Sequence, residues 1–270
     1  MILKGRVLVI AGSDSGGGAG IQADIKAITA LGGFAMTAIT ALTAQNTQGV
    51  FAIHDVPDDF LARQIEVVLT DLGADCIKLG MLHRAGVIAT VCAALDRFAP
   101  NVPVVVDPVM VAKGGARLLE PSAQAALIQQ IIPRAHVLTP NLPEAEALTG
   151  KSAPEADRAE ELAEALLALG CHAALVKGGH REDAEVMDLL VETGKRPVRF
   201  SSKRIETRHT HGTGCTLASA VATGIAQGLP LDQAVGRARA YVLEAIRTAP
   251  GYGAGHGPLN HAHTVKPSEL

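Results

Sequence analysis

Residues 6–31 read RVLVIAGSDSGGGAGIQADIKAITAL, and this stretch decides how the rest of the chain folds. Arg6–Ala11 is a brief run that is apolar at consecutive positions after its first residue, which suits a strand covered on both faces. Gly12–Gly20 is a turn of Gly, Ser, Asp and Ala, and Ile21–Leu31 then returns apolar residues at helical spacing. Strand, glycine loop and helix in that order begin a βαβ crossover, so the neighbouring strands are expected to run parallel.

Working outward, the same alternation recurs along the chain. Strands are predicted at Ala35–Thr40, Cys76–Leu79, Val104–Asp107, His136–Thr139 and Ala173–Lys177, with Val186–Glu192 and Val198–Ser201 joined as a hairpin through Thr193-Gly194-Lys195. Helices are predicted at Asp58–Leu72, Ala85–Phe98, Ser122–Ile132, Pro143–Leu148, Glu155–Leu169, Thr213–Gln227 and Leu231–Thr248. Asp58, Ser122 and Asn141 are placed to cap helix starts, while Gly32, Gly73, Gly170 and Gly228 follow helix ends. Gly251–His263 reads as loose. No repeat of fixed period and no Pro- or Ser-rich linker divides the 270 residues, so one domain over 1–270 is expected, built on a mainly parallel sheet.

Composition narrows the function classes. Apolar residues make up 48% of the chain and aromatics only 3%, so Ala, Val, Ile and Leu must build the core by close helix-on-sheet packing. A net charge of -3 leaves no basic excess to attract a nucleic acid. No apolar run approaches the roughly 18 residues that span a bilayer, and the apolar start is too short for a secretory leader, so no membrane partner is expected. Cys76, Cys92, Cys171 and Cys215 form no C-x-x-C pair, which fits a reducing, cytoplasmic setting.

The strongest local signal is His209-Thr210-His211-Gly212-Thr213-Gly214-Cys215-Thr216, which runs straight into a helix of small residues. Glycines before a helix leave N–H groups free at its positive end, where they can hold a phosphate or a developing negative charge. Cys215, in the first turn, is then expected to have a lowered pKa and to act as a base toward a substrate hydroxyl. The plainer alternative is a tight turn with Cys215 as a small buried apolar residue.

Three strands end in polar residues at one edge of the sheet. Asp107-Pro108-Val109-Met110 and Thr139-Pro140-Asn141-Leu142-Pro143-Glu144 present carboxylates suited to Mg2+ beside polyphosphate, or else ordinary turn and cap chemistry. Lys177, before Gly178-Gly179-His180, closes an apolar run and is a candidate phosphate contact. Lys113, in Val111-Ala112-Lys113-Gly114-Gly115, is a further candidate cation for the phosphates, in a loop that either moves over a site or is a surface turn. The loop Gly12–Gly20 completes no G-x-G-x-x-G register, and Gly150-Lys151-Ser152 follows a helix instead of opening one, so neither a nicotinamide site nor a P-loop is expected. The histidines, several of them in the loose tail, show no ligand spacing for a transition metal.

Taken in order, AGSDSGGGAGIQADIK, TALTAQNT, IKLGML, DPVMVAKGG, TPNLPEAEALTG, VKGGH and HTHGTGCTLASA resemble the hydroxymethylpyrimidine and phosphomethylpyrimidine kinases, within the ribokinase-like superfamily, from Ala11 to about Gly257. The resemblance implies a three-layer α/β/α sandwich, ATP and Mg2+ as cofactors, a small pyrimidine as substrate and a homodimer. It places Gly12, Asp24, Gln45, Met81 and Val109 in the pyrimidine pocket and Gly212, Thr213, Gly214 and Cys215 in the anion hole and base. It places Asn141 and Glu144 near magnesium, and Asp107 and Lys177 near the phosphates. Two other readings share these residues: a pyridoxal or hydroxymethylpyridine kinase, and a non-catalytic binder of a thiamine precursor.

Overall fold

The computed structural model describes residues 4–152, 159–178 and 184–265. Part of the predicted helix Glu155–Leu169, together with Gly179 and His180, therefore lies outside the described residues. Among the described residues nine strands form one sheet, in the order β3 (Gly49–Asp55), β2 (Phe34–Asn46), β1 (Arg6–Asp14), β4 (Cys76–Leu79), β5 (Val104–Val106), β6 (Val137–Leu138), β7 (Ala173–Val176), β8 (Glu185–Glu192) and β9 (Val198–Lys203).

The centre of the sheet follows the sequence pattern closely. β1 (Arg6–Asp14) pairs in parallel with β2 (Phe34–Asn46) on one side and β4 (Cys76–Leu79) on the other, with Val7 opposite both Ala35 and Cys76. β5 (Val104–Val106), β6 (Val137–Leu138) and β7 (Ala173–Val176) continue the parallel run. These strands are buried on both faces because helices cover both. α1 (Gly20–Ala30), α7 (Thr213–Ala226) and α8 (Leu231–Arg247) pack with Val7, Val9 and Val105 on one face. α2 (Asp58–Asp71), α3 (Ala85–Phe98), α4 (Pro121–Ala126), α5 (Leu142–Thr149) and α6 (Ala159–Leu167) pack with Leu8, Ile10 and Val106 on the other. This is the α/β/α sandwich.

Several boundaries differ from the sequence reading, each for a physical reason. β2 runs on past Thr40 and turns at Thr47-Gln48 into β3 (Gly49–Asp55), an antiparallel strand that the pattern did not announce. It is an edge strand with Phe51 exposed, so its alternation does not resemble that of a buried strand. The strands predicted to end at Asp107, Thr139 and Lys177 stop at Val106, Leu138 and Val176, although the next N–H groups still bond to neighbouring chain, Asp107 to the Leu79 carbonyl, Thr139 to that of Val106 and Lys177 to that of Pro140. Ser122–Ile132 is not one α-helix: α4 passes into a wider turn at Leu127–Ile131 and a tight one at Ile132–Arg134, where Pro133 interrupts regular bonding. Asp58 and Ser122 are not caps. Pro57 and Glu120 hold those positions, and Asp58 instead pairs with Arg84 at 2.7 Å.

Other local signals hold. Asn141 accepts from the Glu144 N–H at 2.9 Å while Glu144 accepts from the Asn141 N–H at 2.8 Å, a reciprocal capping box that opens α5. β8 (Glu185–Glu192) and β9 (Val198–Lys203) form the expected antiparallel hairpin. Gly251–His263, read as loose, is instead bonded to three other parts of the chain, including His211 through Pro258.

The strand order reverses direction between β1 and β4, and a ligand crevice opens beyond the carboxyl ends of strands at such a switch. Ile10, fully buried in β1 beside that switch, measures how much the central strand contributes. Ile10→Ala is expected to cost about 2–5 kcal/mol by removing apolar contacts and leaving a cavity, seen as a lower urea midpoint with an unchanged slope.

Candidate active site

A cavity of about 950 Å3 lies at that switch, between the ends of β1, β4, β5 and β7 and the start of α7. Gly12, Gln45, Met81, Val109, Asp107, Asn141, Glu144, Lys177, Lys113 and the run Gly212–Cys215 all line it. Residues separated by as many as 200 positions in sequence are thus gathered on one wall system.

The start of α7 is shaped by glycine. Gly212 adopts φ 82, in the left-handed region, and a Cβ there would overlap the Gly18 carbonyl oxygen. Gly214 faces the ion pair between Lys177 and Asp107, with the place of a Cβ only 3.3 Å from Lys177 Nζ and 3.5 Å from Asp107 Oδ2. The first-turn N–H groups of α7 therefore open toward a fixed cation, a combination that suits a phosphoryl group.

Lys177 Nζ donates to Asp107 Oδ1 at 3.0 Å. Burial acts to lower the Lys177 pKa, but the charges of Asp107 and Glu144 outweigh it and hold the ammonium above its ordinary value. Burial, with Asp107 adding to it, pushes Glu144 up to about 7 against the pull of Lys177 and the N–H groups of Asn141 and Met110. One Glu144 oxygen is already engaged by its own helix cap.

A second buried pair lies beneath the floor. Lys78 Nζ donates to both oxygens of Asp24 at 3.0 Å, with both side chains at 0% exposure, and Ser219 Oγ donates to Asp24 Oδ1 at 2.7 Å. Burial works against the Lys78 charge, yet Asp24 more than offsets it and raises the lysine. Asp24 is therefore not on the pocket wall where the resemblance placed it. Its carboxylate is consumed by Lys78 and Ser219, and Lys78 is the member of the pair that lines the cavity. The signal for Lys78 was available in the sequence as a lysine inside the apolar run Ile77–Leu79.

Cys215 lines the cavity and is half-buried, beyond Gly212–Gly214. Its expected low pKa is not found. Burial pushes the thiol up to about 12, Asp24 and Asp107 push the same way, and Lys78 and the Gly20 N–H oppose them. The helix start points into a partly enclosed space, where loss of hydration outweighs the dipole.

Asp14 and His211, missed in sequence, bind the two glycine loops together. Asp14 accepts from the N–H groups of Gly16 at 2.8 Å, Gly18 at 3.1 Å and Ala19 at 2.8 Å, and lies 2.9 Å from His211 Nε2. Burial alone would raise Asp14, but His211 and these N–H groups hold it below its usual range. Thr43 Oγ1 and His211 Nε2 lie 3.1 and 3.4 Å from the Gln45 amide, which lines the cavity beside Met81 and Val109. Lys113 is exposed on a short hairpin in which Val111 pairs with Arg117, over the mouth of the cavity.

At the far end, apolar Ile205, Val242, Leu243 and Ile246 form a slot next to Arg239, which is paired with Asp188 at 2.7 Å. A polar end with two buried lysines, joined to an apolar slot, suits a nucleotide placed beside a second small molecule. On this three-layer fold, such a site defines a small-molecule kinase.

The comparisons carry this further. The profile of the Phosphomethylpyrimidine kinase family matches residues 14–260, and the chain belongs to that family. It is 49% identical over 260 residues to the hydroxymethylpyrimidine/phosphomethylpyrimidine kinase of Rhizobium meliloti, covering 95% of this chain and 96% of that one. It is also 49% identical over 258 residues to a thiamine biosynthesis bifunctional protein of Geobacter sulfurreducens, covering 96% of this chain and 52% of that longer one. A phosphomethylpyrimidine kinase structure from Clostridium difficile superimposes with a TM-score of 0.79 at 41% identity, over 90% of this chain and 100% of that chain. Pyridoxal kinase of Staphylococcus aureus, solved with AMP-PCP and pyridoxal, gives 0.87 at 31% identity over 97% of this chain and 94% of that chain. The chain is a phosphotransferase with the ribokinase-like architecture of these neighbours.

With the thiol raised as it is, iodoacetamide labelling of Cys215 in the ligand-free protein is expected to climb about tenfold per pH unit from pH 7 to 10, following the thiolate fraction. Peptide mass spectrometry reads the rate at this site. A plateau below pH 9 would contradict the raised pKa.

Proposed function

We propose that the protein transfers the γ-phosphoryl group of ATP to 4-amino-5-hydroxymethyl-2-methylpyrimidine and then to the resulting monophosphate, supplying the diphosphate for thiamine diphosphate biosynthesis. The observation that carries this reading is the meeting of Gly214 with Lys177 and Asp107 beside Cys215, within the same cavity as the Gln45 amide. The amide offers a donor and an acceptor to the edge of a heterocyclic ring, and Met81 and Val109 supply apolar walls. The ring's hydroxymethyl group would then point toward Cys215 and the α7 start.

In this reading the N–H groups of Gly212–Cys215 and Lys177 stabilise charge on the transferring phosphoryl, while positioning supplies much of the acceleration. Cys215 takes the hydroxyl proton. For that it must be ionised in the loaded enzyme, toward which Lys78 and the Gly20 N–H already act. Among the described residues, no three His, Cys, Asp or Glu side chains converge on one point. Asp107 and Glu144 accordingly fit a Mg2+ that arrives with polyphosphate and keeps part of its water, not a resident ion caged by protein. Such an ion would supply charge neutralisation between phosphates, and Asn141 would support it through the Glu144 cap.

We further propose a cytoplasmic homodimer, with a second copy covering the exposed apolar residues Leu42 and Phe51 at the β2–β3 edge. Neither nucleic acid nor membrane is proposed as a partner. No helix among the described residues is long and apolar enough to cross a membrane.

Pyridoxal-type alcohols are the second reading, because solved pyridoxal kinases share this framework. Ratios of kcat/KM for the two alcohols decide between them. Incubation with ATP, Mg2+ and hydroxymethylpyrimidine is expected to give mono- and then diphosphate by mass spectrometry. Cys215→Ala is expected to lower kcat by roughly 10²–10⁴-fold, and unchanged turnover would remove Cys215 as the base. Lys113→Ala is expected to raise KM for ATP severalfold with a smaller effect on kcat, as loss of an exposed phosphate contact should.

A further inference from the structure

We propose that residues 251–263 form a strap that positions the phosphoryl-transfer loop, with His261 as its positioning residue. The inference rests on reading Gly212–Cys215 as the place of transfer.

The strap is fastened at three places. Its first part lies against the turn that joins β2 to β3: the His256 N–H donates to the Thr47 carbonyl at 2.8 Å, and the Gly255 N–H to Thr47 Oγ1 at 3.3 Å. A Cβ on Gly253 or Gly255 would overlap Thr47, so the approach is as close as backbone allows. Its middle pairs with the transfer loop, since the His211 N–H donates to the Gly257 carbonyl at 3.1 Å and His211 and Pro258 form a parallel bridge. Its end is held by α7 and α8, where Thr216 Oγ1 lies 2.9 Å from His261 Nε2 and Tyr241 Oη donates to the His261 carbonyl at 2.8 Å.

The contact with Thr216 is unusual for its helix. A buried threonine inside a helix commonly turns its hydroxyl back onto the carbonyl four residues earlier, as Thr223 does onto Ser219 at 2.7 Å. Thr216 Oγ1 bonds across to His261 instead, while its N–H still closes the first turn onto the Gly212 carbonyl at 2.9 Å. His261 is buried, which holds its imidazole down to about 4 and neutral at physiological pH. A neutral ring keeps one unprotonated nitrogen, and with the proton on Nδ1 that nitrogen is Nε2, placed to accept from Thr216.

Thr216 follows Cys215 directly, and Thr47 lies two residues beyond Gln45. The strap therefore ties the segment bearing the ring-edge amide to the helix turn bearing the sulfur. Small displacements between such groups cost far more in rate than in binding.

The test uses the full chain. His261→Phe keeps a ring without an acceptor, and Thr216→Val removes the hydroxyl. Each is expected to lower kcat about ten- to hundredfold while KM for both substrates changes by less than about threefold. The double variant should be no worse than the poorer single one, because both remove one bond. His261→Gln, which retains an acceptor, should recover most of the loss. The rate of iodoacetamide labelling at Cys215 should change in both single variants. If His261→Phe does not fold, Thr216→Val against Thr216→Ser makes the same comparison with the hydroxyl as the variable. Turnover per folded enzyme equal to the parent, additive losses, or Ser and Val behaving alike would overturn the proposal. Full turnover in Cys215→Ala would instead overturn the base, leaving the labelling rate as the independent reading of the strap.

Discussion

The site depends on two glycine loops being allowed to touch. Gly12–Gly20, at the end of β1, and Gly212–Gly214, at the start of α7, are nearly 200 residues apart and meet where Gly212 presses on the Gly18 carbonyl. Side chains at either position would hold the loops apart. His211 fills the space left by the missing side chain of Gly18, and its bond to Asp14 closes the contact. Because of that closeness, the positive end of α7 faces the carboxyl ends of the central strands instead of solvent, and one cavity joins the α7 start to the Gln45 amide.

Electrostatics follow from the same enclosure. Bringing Lys78 and Lys177 out of water is costly unless each keeps a carboxylate, and Asp24 and Asp107 supply them. Burial raises the Cys215 pKa and those carboxylates add to it, against Lys78, which acts to lower it. Asp107 is already paired with Lys177, so additional negative charge arriving nearby needs a cation of its own.

Much of this was readable from residue order, and the rest was hidden for identifiable reasons. The alternation beginning at Arg6 gave the parallel sheet, and Gly-Thr-Gly-Cys before a small-residue helix pointed to the α7 start. The Asn141 cap was legible because both partners lie within one helical turn. Asp24 was misplaced because a carboxylate on an amphipathic helix does not reveal its partner, and Lys78 lies 54 residues away. Asp14 and His211 were passed over for the same reason: their bond spans 197 residues and neither neighbourhood predicts it. The raised Cys215 pKa escaped because a helix start implies a dipole, whereas the opposing burial exists only once the surrounding walls are assembled. Gly251–His263 looked loose because its bonds are nearly all to distant segments.

Shape and side chains then carry different information about substrate. The higher structural agreement with pyridoxal kinases, beside a higher sequence identity with a phosphomethylpyrimidine kinase, reflects a framework common to both activities. On the proposed reading, strand ends, the α7 start and Lys177 would serve phosphoryl transfer to any small alcohol, so backbone likeness is insensitive to which ring is held. Discrimination falls to the few side chains that meet the ring edge, where a mismatched donor or acceptor is left unpaired in a dry pocket. In this chain the Gln45 amide lies beside Thr43 and His211 at the cavity wall, so on the proposed reading it is the pattern of that amide, not the overall shape, that a ring edge has to match.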